Sequence, residues 1–267
     1  MRLFTPIVAE PTAPLARANP VAKLAAALVL MAALFASLDG VTAIVVLGAL
    51  LMLIPGSGLS LRTIVGRARL VAVVAISIGV FNMLFAAEQV GQLIVAVGPF
   101  RIGAETALNG AGLALRLLAI ALAGLLATAT SDPVEVADAL VQQLRVSPRF
   151  AIGVLAALRL LPLFAQEWQT IGMARRARGV EAGRSPIAAV RLFGSQLLAL
   201  LVGAIRRGSR MAVAMEARGF GASPCRTVAR PQQMRLSDWG WIAGAVVLAA
   251  IAIGVSVALG AWRPLIG

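Results

Sequence analysis

Five stretches of this chain carry almost no charge: Val21 to Leu38, Val41 to Ile54, Leu70 to Ala87, Ala107 to Thr130 and Trp239 to Trp262. At about 1.5 Å of rise per residue, 18 helical residues cover roughly 27 Å, close to the ~30 Å hydrocarbon core of a bilayer. The second stretch is short unless its flanks join it. Hydrophobic residues make up 60% of the 267, and charged ones only 13%. A soluble domain of this length could not hide that excess in one core, so it must face lipid. The expectation is an all-α polytopic membrane protein with about five transmembrane helices.

The first stretch follows Arg2, Arg17 and Lys23 and so has the shape of a secretory signal, with small residues near Ala36 that permit cleavage. A second apolar stretch follows almost at once and favours a retained signal anchor. Orientation follows from the basic residues, which accumulate in short cytoplasmic loops. An N-terminus inside also places Arg62, Arg67 and Arg69 inside. Asp39 and the loop from Glu88 to Glu105, with only Arg101, then lie outside. The segment from Ser131 to Arg230 falls inside, with 14 arginines against 6 carboxylates. The organisation expected is an N-terminal membrane domain over 1–130 with about four spans, a cytoplasmic coupling domain over 131–230, and a C-terminal transmembrane helix within 231–267.

The basic segment has two apolar runs of its own, Phe150 to Ala165 and Ile187 to Ile205. They hold Arg159 and Arg191, and the first also holds Pro162. They read as long helices packed against the spans and a partner, with at most partial immersion. A helix start is marked by Asp132, Pro133 and Glu135: a side-chain cap, proline at the first helical position and a carboxylate three residues on. Asp132 and Asp138 lie six apart, and capping explains them better than a cation site. Arg116, inside a span, either snorkels outward or forms a structural ion pair within the bundle. For Arg159, pairing with Glu167 or with lipid phosphate suffices.

Within the basic segment the tripeptide Ala-Arg-Gly occurs twice, as Ala177-Arg178-Gly179 and Ala217-Arg218-Gly219, with the arginines 40 residues apart. Each follows a helical pattern, and glycine just past a helix end supplies a left-handed cap. Each arginine would then project from a helix tip. Arg175 lies three residues before Arg178, and Met211 lies four before Met215, so each end can present a coherent face. Arginine binds carboxylates bidentately and methionine adapts to a groove. Two similar tips on one chain suit a partner with two similar pockets.

These motifs sit in a wider pattern. It opens with Asn19-Pro20-Val21-Ala22-Lys23-Leu24 and continues through Leu115-Arg116-Leu117-Leu118 and Thr130-Ser131-Asp132-Pro133. Next come Leu158-Arg159-Leu160-Leu161-Pro162 and Ala174-Arg175-Arg176-Ala177-Arg178-Gly179. Ala214-Met215-Glu216-Ala217-Arg218-Gly219-Phe220 and Arg226-Thr227 close it. In these residues the sequence resembles the transmembrane T component of energy-coupling factor transporters, the EcfT, CbiQ and BioN group of vitamin and metal uptake systems driven by ABC-type ATPases. The resemblance implies a machine of four parts: this subunit, two cytoplasmic ATPases and a small membrane S component that captures the substrate. It implies that Arg178 and Arg218, with their neighbours Arg175 and Met215, meet the two ATPases. ATP and magnesium would be bound by those partners, with no cofactor on this chain.

Other classes fit less well. There is no histidine and a single cysteine, Cys225. A disulfide framework is therefore impossible, and a metal site would rest on carboxylates alone. Asn82, Ser77 and Thr128 lie in the spans, but no histidine or paired acid accompanies them to activate a nucleophile for an intramembrane enzyme. A self-sufficient transporter or channel would need polar residues at mid-membrane, and the spans are almost purely apolar. Nucleic-acid binding would explain the net charge of +13 but neither the spans nor the duplicated tips. No Gly-x-x-x-x-Gly-Lys loop is present, so nucleotide chemistry belongs to partners.

Overall fold

The computed structural model describes residues 13–59, 61–86, 92–97, 100–183, 185–220 and 231–262. The chain is an all-α polytopic membrane protein. Helices α1 (Pro14–Arg17), α2 (Pro20–Ala36), α3 (Gly40–Leu53) and α4 (Leu61–Phe85) lead to a short antiparallel hairpin, β1 (Leu93–Val97) and β2 (Phe100–Gly103). There follow α5 (Ala104–Ala129), α6 (Pro133–Gln143), α7 (Pro148–Ala177), α8 (Pro186–Ala217) and α9 (Leu236–Ala258). The hairpin has no counterpart in the hydropathy pattern, which treats that loop only as a gap between spans.

Several helix starts share one local rule, a short polar residue followed by proline. Asn19, Asp132, Ser147 and Ser185 precede Pro20, Pro133, Pro148 and Pro186. Proline has its φ preset for the helix and lacks the N–H that a first turn would leave unbonded. The side chains of Asn19, Asp132 and Ser185 accept from the backbone N–H groups of Val21, Val134 and Ala188. The cap expected at Asp132 is therefore present.

Five helices are long and apolar enough to cross a bilayer: Ile64–Phe85, Ala104–Ala129, Pro148–Ala177, Pro186–Ala217 and Leu236–Ala258. This set differs from the expected one. The first two stretches form helices of only 17 and 14 residues. The two runs of the basic segment extend into unbroken helices of 30 and 32 residues. A lone arginine interrupts an apolar run but not a helix, since its long stem costs the helix backbone little. Pro162 likewise sits inside α7.

The chain forms two compact units. One comprises Phe4–Gln143 and Gln232–Gly267. Within it α5 packs on α2, α3 and α4, while α9 packs on α2 and α3, and α6 lies against α2. Leu34, Val46, Ala43, Ala119 and Ala252 are almost wholly buried between these helices. Lipid tails are as apolar as leucine, so close packing rather than water exclusion joins such helices, and small residues permit it. A methyl group built on Gly79 of α4 would stand 2.7 Å from the carbonyl oxygen of Gly110 on α5 and 2.8 Å from the Ala114 methyl.

A polar cluster closes each end of this apolar bundle. At one end Asn19, Lys23, Thr130 and Asp238 are buried. Lys23 Nζ donates to the Thr130 carbonyl at 2.8 Å, a cation on the carbonyl end of α5. The Asn19 N–H donates to Asp238 Oδ1 at 2.9 Å, and the Arg235 N–H donates to Asp238 Oδ2 at 2.8 Å. At the other end buried Asp39 caps α3, accepting from the Thr42 N–H at 2.7 Å, from Thr42 Oγ1 at 3.0 Å, from Ser256 Oγ at 2.6 Å and from Ser37 Oγ. Arg116 is buried beside it, with Nη2 donating to the Ser37 carbonyl and Asp39 as the charge it faces. Arg116 therefore lies inside the bundle and does not snorkel, but its partner is the Ser37 carbonyl and it forms no ion pair with Asp39.

The second unit spans Leu144–Pro231 and is built on α7 and α8. Arg159 is exposed. Glu167 pairs with Arg207, N to O 2.8 Å, so of the two partners open to Arg159, Glu167 and lipid phosphate, the first is taken. Arg207 also lies 5.5 Å above the Phe164 ring. Sequence separation cannot reveal this pair, because it joins the middles of two antiparallel helices 40 residues apart along the chain.

Candidate functional site

The two Ala-Arg-Gly motifs end α7 and α8 in the same backbone conformation. Arg178 is the C-cap of α7 at φ −92° and ψ 9°, and Arg218 is that of α8 at φ −87° and ψ 9°. Gly179 and Gly219 follow with φ of 71° and 74°, a left-handed region that costs a residue with a Cβ about 1–2 kcal/mol. The N–H of Val180 bonds the Arg175 carbonyl at 3.0 Å and that of Gly179 bonds Arg176 at 2.9 Å. On α8 the N–H of Phe220 bonds the Met215 carbonyl at 3.0 Å and that of Gly219 bonds Glu216 at 2.9 Å. These paired bonds are the Schellman arrangement, which satisfies carbonyls that a helix end otherwise leaves open. Alanine carries each helix to its cap, arginine occupies it and glycine turns the chain away.

Ala177, Arg178 and Gly179 are exposed, and so are Ala217, Arg218 and Gly219. With described residues, the Arg178 and Arg218 side chains make no hydrogen bond or ion pair in the structure. A fixed backbone thus presents an uncommitted guanidinium, whose planar fork suits a carboxylate or a carbonyl cluster on another molecule.

The neighbours of the two tips differ. Arg175 is half-buried and bound to α8, with Nη1 3.0 Å from the Leu192 carbonyl and 2.7 Å from Ser195 Oγ. It positions the α7 tip rather than standing beside Arg178 as a second free cation. Gln196 strengthens the same junction, with Nε2 donating to the Trp168 carbonyl at 2.6 Å, while Trp168 meets Phe193 edge to face. Met215, half-buried, borders with Met211 and Phe220 an apolar groove of about 500 Å³ between α8 and the first half of α7. The α8 tip therefore has an apolar flank.

The tips lie on opposite sides of the helix junction. From the meeting of Gly172 with Gln196, Arg178 is six residues along α7 and Arg218 is 22 along α8. At the rise of a helix these are roughly 9 and 33 Å. Two arginines so placed cannot enter one small pocket together.

Gln196 and Ser195 escaped the sequence reading, although a lone glutamine in an apolar run is a usable signal. Cys225, Arg226 and Thr227 lie outside the described residues, as does Glu88.

Comparison with known proteins places the chain in a family. The CbiQ family profile, described as a cobalt transport protein, matches residues 11–229. The energy-coupling factor transporter transmembrane protein EcfT of Exiguobacterium sibiricum is 28% identical over 254 residues, 91% of this chain and 93% of its own length. That of Bacillus subtilis is 30% identical over 169 residues, 60% and 64% of the two chains. That of Thermosediminibacter oceani is 26% identical over 214 residues, 77% and 78%. The family match runs through both arginine-capped helix ends and the buried Asn19 to Lys23 cluster, so the chain belongs to the CbiQ and EcfT family, the transmembrane energy-coupling components of energy-coupling factor transporters.

Proposed function

We propose that this chain is the subunit through which two cytoplasmic ATPases drive uptake of a vitamin or transition-metal ion captured by a membrane S component. The observation that carries this reading is the pair of helix ends with one backbone conformation, each displaying an exposed arginine free of bonds to described residues. ATP-driven closing of an ATPase dimer moves two equivalent grooves together, and a subunit with one arginine plug for each groove would follow that motion. Arg178 and Arg218 are the plugs. Ala177 and Ala217 hold the last turns helical, Gly179 and Gly219 end them, Arg175 positions one tip, and Met215 lines the groove beside the other.

The chain carries no nucleotide site in this reading, and ATP with magnesium is held by the ATPases. The N-terminus and the coupling segment face the cytoplasm of a prokaryotic cell whose inner membrane holds the spans. Exposed apolar residues on α8, among them Val190, Leu198, Leu201 and Ile205, supply the surface for the S component and lipid.

The test is co-expression with the cognate ATPase pair, followed by detergent-stable co-purification of the native chain, R178A, R218A and the double variant. Loss of one arginine from a charge-paired interface costs about 2–5 kcal/mol. Each single variant should weaken the complex and the double should abolish it. Equal recovery of all four, with each folded in the membrane, would refute the assignment.

A further inference from the structure

The places where the chain leaves and re-enters the membrane unit are tied to each other and to the same helix start. The chain leaves the membrane unit after Gln143 and re-enters it at Gln232. There Gln143 Nε2 donates to the Gln232 carbonyl at 3.1 Å, and the Gln232 N–H donates to Gln142 Oε1 at 2.8 Å. One crossing is thereby stapled to the other. Farther in, the α5 end that leads to the exit is held by Lys23, and the α9 start that follows the return is held through Asp238 by Asn19. Lys23 and Asn19 both belong to the start of α2. The first residue beyond the staple whose backbone is strained is Arg145, with φ of 54°, the one positive-φ non-glycine among the described residues. That conformation costs a residue with a Cβ about 1–2 kcal/mol and marks a point where the chain turns sharply.

We propose that the Gln142, Gln143 and Gln232 staple, backed by Asn19 and Lys23, is a fixed anchor. It holds both ends of the coupling segment together while the arginine tips move, and the motion is taken up beyond it at Arg145. This rests on the coupling reading above and names its positioning residues. Without the anchor, displacement of either tip would part the two crossings instead of tilting the coupling helices as one body. Lys23 and Asn19 act here through α5 and α9.

The experiment uses the chain bound to its ATPase pair in lipid nanodiscs, with Cys225→Ser as background and nitroxide labels on introduced cysteines. One pair flanks the staple, at Leu144→Cys and Gln233→Cys. The other reports on a tip, at Val180→Cys and Gln233→Cys. Distances are measured by pulsed electron resonance without nucleotide and with Mg-ATP and vanadate. The tip pair should shift by more than about 2 Å while the flanking pair stays within that limit. In Q142A/Q143A, and separately in K23M, the flanking distribution should broaden although the ATPases still co-purify. The proposal is overturned if the flanking pair shifts with the tip, if neither pair shifts, or if both variants leave the flanking distribution unchanged. Failure of the native chain to retain the ATPases would sink the coupling reading, a result visible before any distance is measured.

Discussion

Replacing Asp39 by alanine tests whether the polar cluster around it holds the membrane bundle together. The carboxylate accepts four hydrogen bonds, from Ser37 Oγ, the Thr42 N–H, Thr42 Oγ1 and Ser256 Oγ. Two donors have substitutes: Thr42 Oγ1 is already 3.3 Å from Ser37 Oγ, and a helical serine such as Ser256 can turn to the carbonyl one turn back. Three groups have none, of which the Ser37 hydroxyl, a neutral rotor, counts least. The Thr42 N–H loses the α3 cap, about 1 kcal/mol, and the buried Arg116 guanidinium loses its compensating charge, about 1–3 kcal/mol more. D39A should therefore cost about 2–4 kcal/mol, and D39N about 1 kcal/mol less because its side-chain oxygen can still cap. The assay is reversible unfolding of the detergent-solubilised chain, with R116M and the double variant completing a cycle. The two changes should be non-additive by about 1 kcal/mol or more. A loss under about 0.5 kcal/mol for D39A, or strict additivity, would refute the reasoning. Acid supplies a second check. Burial pushes the Asp39 carboxyl up, but the bonds from Ser256, Ser37 and Thr42 outweigh it and hold the group below the usual carboxylate range. The unfolded chain then binds the proton more readily than the folded one, so this contribution is full above the ordinary carboxylate value and fades as pH falls through the folded one. The stability gap between the native chain and D39N should narrow below about pH 4.

Three further outcomes follow from packing and caps. G79A should destabilise the bundle by about 1–3 kcal/mol in the same unfolding assay, because its methyl would meet the Gly110 carbonyl and the Ala114 methyl, neither of which can swing away. G219A meets no atom within 4 Å, so its cost of about 1–2 kcal/mol is conformational; it should loosen the α8 tip and weaken ATPase co-purification. G219N, which tolerates a left-handed backbone, should retain most of the binding. R207M should cost only about 0.5–1 kcal/mol by thermal unfolding, since Arg207 and Glu167 are 35% and 30% exposed and solvent screens the pair.

The legible part of this protein is local. Three of the five apolar runs announce helices long enough to cross a bilayer, because lipid contact demands continuous hydrophobic surface over a fixed length. Asn19-Pro20, Asp132-Pro133 and Ser185-Pro186 announce helix starts because capping and proline act within one turn. Ala-Arg-Gly announces a helix end because only a residue without a Cβ takes the left-handed turn at no cost; Gly179 and Gly219 do so. That is why the helix ends that carry Arg178 and Arg218 could be placed from sequence, and why the family resemblance could be read from the same residues.

What depends on partners distant in the chain was not legible. Glu167 could have met Arg159 or Arg207 on charge alone, and the antiparallel crossing of α7 and α8 decided for Arg207. Arg175 reads as a partner of Arg178 by its spacing, yet the approach of Leu192 and Ser195 engages it. Arg116 could have snorkelled; the arrival of Ser37 and Asp39, nearly eighty residues earlier in the sequence, kept it inside. Periodicity, capping and length act along the chain and are written in it. Which buried charge finds which acceptor is decided only when the helices pack, because an unpaired polar group away from water costs more than any one local preference.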